Sequence, residues 1–213
     1  MGREFLDVFD KWASYYDDTV TGADDEYRGV FKNYPSILEQ VASLVYGNVL
    51  EFGTGTGNLT EKLIKKGYKV TGIEPSAAMR EIALKKLKGK ANIFDGDFLN
   101  FQVSYSFDSI VSTYAFHHLT DKEKAEAVAL YGKLLKRGGK IVLADTMYPT
   151  KKEYTQAIEG AKAAGFLNLA KDLQTEFYTI IPYLEEIFKE NKFSTVFQRC
   201  NDFVWIINAV KTE

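Results

Sequence analysis

Two carboxylates and three glycines carry the most specific chemistry that this sequence offers. Glu51 stands two residues before Gly53 in the run from Val49 to Thr60, VLEFGTGTGNLT, and Gly55 and Gly57 follow at alternate positions. Glycines at this spacing make a turn whose backbone can adopt unusual φ values and come close to a ligand. The dinucleotide fingerprint is G-x-G-x-x-G. Here the third glycine arrives one residue early, and Asn58 holds the place of the glycine that would pack the helix. A phosphate-cradling loop fails as well, because no Gly-Lys-Ser or Gly-Lys-Thr follows. Glu51 would repel a pyrophosphate and would hold an ammonium group through a charge-assisted hydrogen bond. Glu74 comes 74 − 53 = 21 residues after the first glycine, close to the ~20 at which an acidic residue takes ribose hydroxyls in nucleotide folds. A glutamate at a strand tip is by itself merely solvated; paired with the glycine turn at this interval, it reads as a ribose ligand.

S-adenosylmethionine carries an ammonium, a sulfonium and no phosphate. At these residues the chain resembles the class I S-adenosylmethionine-dependent methyltransferases, with EFGTGTG as their first motif. It is most similar to the small bacterial methyltransferases of the YrrT type, which share the opening GREF, the central VSTYAFHHLTD and the closing NDFVWI. The resemblance runs nearly end to end; it implies a transferase with S-adenosyl-L-methionine as cofactor and names no substrate. It also implies that Asp97 accepts from the exocyclic amine of adenine with Phe98 beside it, although Asp95 is a rival and the surrounding residues also suit an ordinary turn at Gly96. The stretch Trp12 to Asp17 is similar to the W-A-x-x-Y-D segment that caps the cofactor in many small-molecule methyltransferases. On that reading Tyr15 or Tyr16 covers the methionine end, where an aromatic face beside a sulfonium gains about 1 kcal/mol. The same spacing equally describes a helix packed on a core, and both readings can hold. The expected cofactor set is therefore Gly53, Glu74, Asp97, Glu51, Gly55, Phe98 and Tyr16.

Methyl transfer from a sulfonium is a direct displacement with an activated leaving group, so the protein mainly aligns the nucleophile and excludes water. A dedicated base is optional. His117 and His118 alone have ordinary pKa values near neutrality, and catalysis and loop ordering stay open for both, so the catalytic residues are unassigned. Asp145, Thr146 and Tyr148 could line an acceptor pocket. No metal-ligand spacing stands out, and no metal is expected. Ser112-Thr113-Tyr114-Ala115 occupies the place of the Asn-Pro-Pro-aromatic motif that amino methyltransferases use against planar amines. A small-molecule acceptor with an O, N, S or activated C nucleophile is the leading reading. The alternative is a non-catalytic S-adenosylmethionine-binding protein acting through a partner; a nicotinamide oxidoreductase is disfavoured by Glu51 and the early third glycine.

The elements needed to position these residues follow in order. An aromatic-faced helix is expected over Glu4 to Tyr16, a mobile lid followed by a polar loop from Asp17 to Asp25. A helix from about Asp24 to Tyr34 gives way at Pro35 to another carrying Ile37, Leu38, Val41, Leu44 and Val45 inward. Strands are expected at Val49–Phe52, Tyr68–Ile73, Ala91–Phe94, Phe107–Ser112 and Lys140–Asp145, alternating with helices. Ser76 is an expected N-cap, Thr120 to Glu123 matches a capping box, and Gly138-Gly139 breaks the helix before the last of these strands. About three helical segments fill Lys151 to Asn191, and two β-rich runs, Ser194–Arg199 and Asp202–Val210, make an antiparallel hairpin. The fold class is α/β, a Rossmann-like class I methyltransferase sheet, mainly parallel with a C-terminal antiparallel hairpin and helices on both faces. With 213 residues, 46% of them hydrophobic, one domain is expected, with residues 1–46 as a helical cap, 47–146 as the cofactor core, 147–191 as a helical insertion and 192–213 as the hairpin. The formal charge of -2 gives no excess positive field to gather nucleic acid. No leader and no apolar run of ~18 residues is seen, and with its single cysteine, Cys200, a cytoplasmic protein is expected.

Overall fold

The computed structural model describes Leu6, residues 12–103 and residues 106–213. Most of the expected Glu4–Tyr16 helix lies outside the described residues. Strand β1, Asn48–Phe52, lies in the interior of the sheet, with apolar side chains on both faces: Val49 and Leu50 are completely buried and Phe52 nearly so. A continuous apolar run of this kind is what a parallel strand covered on both faces requires. It pairs in parallel with β2, Lys69–Ile73, on one side and with β4, Phe107–Thr113, on the other. Beyond β2 lies β3, Asn92–Phe94. Beyond β4 come β5, Leu135–Tyr148, then β8, Val204–Lys211, and at the edge β7, Phe193–Arg199. The order is β3-β2-β1-β4-β5-β8-β7, parallel as far as β5 and antiparallel thereafter. A two-residue strand β6, Thr179–Ile180, not foreseen in the sequence, pairs with Met147 and Tyr148 at the end of β5.

Alternation along the strands divides the core between the two faces. Leu50, Phe52, Ile110 and Leu143 point to one face, where they meet Tyr131 of the helix Asp121–Leu134 and Phe188 of the helix Ile181–Glu190. Val49, Val111 and Val142 point to the other, against Ile37, Leu38 and Val41 of the helix Tyr34–Leu44 and Leu59 and Leu63 of the helix Asn58–Lys65. Side chains cap the helices that follow β2 and the loop after β4. Ser76 accepts from the Met79 amide, and Thr120 and Glu123 satisfy each other's backbone amides in a complete capping box. The chain runs outward from β1 in both directions, so the strand order reverses between β1 and β4. A crevice at the carboxyl ends of these two strands is the topological consequence.

Three expectations are corrected. Residues 25–33 form turns, not a helix, because their polar groups are spent elsewhere. Asn201 Nδ2 donates to the carbonyls of Val30 and Lys32, Glu26 accepts from the amides of Asn168 and Leu169, and Asn33 is left-handed at φ 66°. Gly138-Gly139 does not end an element: β5 runs through it, with Leu135 facing Phe107 and Lys140 facing Ser109, so the excess residues are absorbed in an irregularity of the ladder. The terminal hairpin is joined by four residues, 200–203, rather than about two.

Candidate functional site

Gly53, Gly55 and Gly57 are all left-handed, with φ of 66°, 56° and 87°. Each has its own reason to lack a side chain. A Cβ on Gly53 would stand 2.7 Å from the Ala115 Cβ, and one on Gly57 3.3 Å from Ala83, so the turn is pressed between the loop after β4 and the helix Ala77–Leu87. At Gly55 a Cβ would meet nothing within 4 Å. That open side is the one on which a ligand can approach the backbone.

Both predicted carboxylates are buried against this turn. Glu74 reaches across from the tip of β2: one of its oxygens accepts from the Gly55 amide at 2.8 Å and the other from the Ser76 amide at 2.9 Å. An ionised carboxylate only accepts, which suits a ligand hydroxyl as the donor. Glu51, 2% exposed, accepts from the Thr60 hydroxyl at 2.6 Å. Burial, assisted by the nearby charge of Glu74, pushes its pKa up to about 8 despite that hydrogen bond. A carboxyl held in this way gains from a cationic partner and from no anionic one.

Asp97 and Phe98 lie at the next strand tip. The Asp97 carboxylate accepts from the amides of Leu99 and Asn100 at 3.0 and 2.8 Å, ordering its own loop, while Asp95 pairs with Arg80 at 2.9 Å. Phe98 is stacked on Phe52 and lies 3.8 Å from the position a Gly53 Cβ would take.

The segment before the first strand touches the turn through Asp17, the last residue of the W-A-x-x-Y-D stretch; in place of the loop expected from Asp17, the chain is helical over Tyr16–Asp18 and Thr19–Ala23. Asp17 accepts from Thr56 Oγ1 at 2.7 Å and from Asn58 Nδ2 at 2.9 Å, and pairs with Lys86 Nζ at 2.9 Å. Beside it, Tyr16 sits edge-on to Trp12 and belongs to the aromatic group around Tyr34 and Tyr114. Burial first, and then the neighbouring tyrosines, raise the pKa of Tyr16 well above the usual tyrosine value.

The loop after β4 carries a second cluster. Tyr114 is left-handed at φ 53°, an uncommon conformation for a bulky residue, and turns the chain into a short helical turn, Phe116–His118. Asp145, at the end of β5, accepts from the His117 amide at 3.0 Å and lies 2.6 Å from its Nδ1. The other ring nitrogen, Nε2, lies 3.4 Å from Glu176 Oε2, and the second Glu176 oxygen lies 3.9 Å from His118 Nδ1. Glu176 accepts from the Tyr178 hydroxyl at 2.6 Å, and the Tyr178 ring stacks on His117. Buried Lys124 fixes this arrangement by donating to the carbonyls of Leu119 and Phe177, while the Phe177 amide donates to His117 O. Burial opposes charge on His117, but Asp145 and Glu176 raise its pKa on balance; burial lowers that of His118 well below the ordinary value. Asp145 and the histidines were visible as candidates in sequence. Glu176 was missed, since nothing local marks a glutamate 176 − 117 = 59 residues away as their neighbour.

The family model for the methyltransferase domain matches residues 49–139, from β1 through the turn to Gly139. Over 211 residues the chain is 54% identical to proteins of Bacillus mycoides (strain KBAB4) and Bacillus cereus (strain 03BB102), each named an uncharacterized methyltransferase; the match covers 99% of this chain and 100% of each relative. Among solved structures it is similar to magnesium protoporphyrin IX methyltransferase from Synechocystis PCC 6803 with bound SAH, with a TM-score of 0.72 at 17% identity, covering 96% of this chain and 98% of that one. A DhpI chain solved as its SAM-HEP complex gives a TM-score of 0.73 at 17% identity, covering 96% and 94%. At such identities the likeness concerns the fold. Among the described residues no helix is long and apolar enough to cross a membrane.

Proposed function

Because this chain belongs to the class I methyltransferase family, we propose that it transfers a methyl group from S-adenosyl-L-methionine to a small-molecule acceptor. The observation that carries the reading is the pair of buried carboxylates, Glu51 and Glu74, bracketing a left-handed glycine turn that is open at Gly55. Two adjacent carboxyls at a nucleotide-type turn disfavour pyrophosphate and suit a ligand with a ribose at one end and an ammonium at the other. Glu74 takes the ribose hydroxyls, Glu51 the ammonium end, Gly53 and Gly55 give the backbone approach, Asp97 and Phe98 flank the adenine, and Tyr16 covers the methionine part. Bound there, S-adenosyl-L-methionine would supply an activated methyl group on sulfur, and these residues would hold it in line with the acceptor and exclude water. The acceptor lies between the Tyr16 segment, the Thr113–His118 loop and the helices between Lys151 and Asn191, since variable segments at the carboxyl ends of strands select substrates in such sheets.

Calorimetry with S-adenosylmethionine, S-adenosylhomocysteine and NAD tests the cofactor: the first two bind and the third does not. Turnover measured separately with a metabolite extract, nucleic acid and protein tests the acceptor. Activity confined to the macromolecular fractions refutes a small molecule, and cofactor binding without turnover in any fraction favours a non-catalytic binding protein.

A further inference from the structure

We propose that His117 Nε2, His118 Nδ1 and a Glu176 carboxylate oxygen together bind a divalent transition-metal ion. The donor atoms of the three side chains lie within 4.8 Å of one another, with His117 to Glu176 at 3.4 Å and His118 to Glu176 at 3.9 Å. Around a tetrahedral ion with bonds of 2.0–2.1 Å, neighbouring donors stand about 3.3–3.4 Å apart. One pair already has that separation; the other donors, all within 4.8 Å, would draw in around the ion.

The charge pattern asks for a cation at this point. Asp145 is 3% exposed and lies 2.6 Å from His117 Nδ1, so Asp145 engages Nδ1 and leaves Nε2 as the ring nitrogen presented to Glu176. Glu176 Oε2 stands 3.4 Å from that nitrogen, a separation that a shared cation would span. A carboxylate that grips the far nitrogen of a histidine is also the usual outer support of a metal-bound imidazole, because it fixes the ring and raises its basicity. Lys124 is the opposing charge in the vicinity. It is held by the carbonyls of Leu119 and Phe177 and lies 3.6 Å from Asp121, and the carboxylates of Asp145 and Glu176 outnumber it.

The donor set also selects the ion. Two imidazoles and one carboxylate favour zinc, iron(II) or cobalt(II) over magnesium and calcium, which require oxygen. Three protein donors leave a fourth position open, as in catalytic rather than structural zinc sites. The open position suits water or an oxygen or sulfur atom of the acceptor; that last assignment rests on the methyltransferase reading, whereas the metal site does not. Ala115, two residues before His117, packs on Gly53, so the centre adjoins the turn proposed for the cofactor.

The test is titration of the metal-free full chain with Co2+. One equivalent is expected to give the intense visible absorption of four-coordinate cobalt, displaced by Zn2+ and unaffected by Mg2+. Glu176→Gln and His117→Ala should abolish it, and Asp145→Asn should weaken binding by about 10–100-fold. S-adenosylmethionine affinity measured on the same samples separates loss of this site from failure of the cofactor reading. Should the variants not fold, X-ray absorption of the zinc-loaded wild type decides, with two imidazole ligands expected. A cobalt spectrum no stronger than that of the hexaaquo ion, an absorption that survives in both variants, or fewer than two imidazoles at zinc would each overturn the proposal and leave a His117 imidazolium as the cation facing Glu176.

Discussion

At the scale of the residue, the two carboxylates at the turn make different predictions although both are buried glutamates. Glu74 already accepts from two backbone amides, and a ribose would add charged hydrogen bonds to the same oxygens. Glu74→Ala should therefore weaken S-adenosylmethionine binding by roughly 1.5–3 kcal/mol, read by calorimetry, with the circular dichroism of the fold retained. Glu51 makes a prediction about protons. In the folded chain its pKa is about 8, against about 4.3 in an unfolded one. The folded state thus binds the extra proton, its contribution to stability is complete below the unfolded pKa, and it is lost as the pH rises through about 8. Glu51→Gln should flatten the pH dependence of stability across that window in denaturant melts. An ammonium partner demands the carboxylate, so binding S-adenosylmethionine at pH 7 should release close to one proton from Glu51. Calorimetry in buffers with different heats of ionisation measures this, and equal heats in all buffers would refute the pairing.

At the scale of the element, the glycine turn and the Asp17 segment are the parts whose behaviour follows from their seating. A Cβ at Gly55 would meet no protein atom within 4 Å, so a valine would fill the open side of the turn, in a left-handed conformation of φ 56°. Gly55→Val should abolish cofactor binding at a cost to stability of about 1–3 kcal/mol, whereas native affinity would place the ligand elsewhere. Asp17 ties the segment around Tyr16 to Thr56, Asn58 and Lys86 on the turn and the helix beyond it. Its side chain is 47% exposed, so this clamp is worth only about 1 kcal/mol. Hydrogen exchange in residues 12–23 should slow on cofactor addition and should no longer do so in Asp17→Ala. What was legible at this scale was what local chemistry dictates: the turn glycines, the Ser76 cap, the Thr120–Glu123 box and the apolar strands. Residues 25–33 were misread because their hydrogen-bond partners, Asn168 and Asn201, come from the far end of the chain. The His117, His118 and Glu176 cluster was hidden for the same reason.

At the scale of the whole molecule, a near balance of 27 basic and 29 acidic residues gives no long-range field toward polyanions, in keeping with an acceptor chosen by the contacts around the site. Strand order sets a further condition. β8 lies between β5 and β7 and supplies the antiparallel neighbour for residues 140–146 of β5, so the strand that carries Asp145 is completed by residues 204–210. A ribosome delivers β5 some sixty residues before β8. In that interval the growing chain carries a long apolar strand edge with no partner, the kind of surface that recruits other chains. A stop codon before Val204 should accordingly yield aggregate rather than a trimmed enzyme, which solubility on expression would show. The cluster that Asp145 holds can therefore be finished only after translation has passed β8.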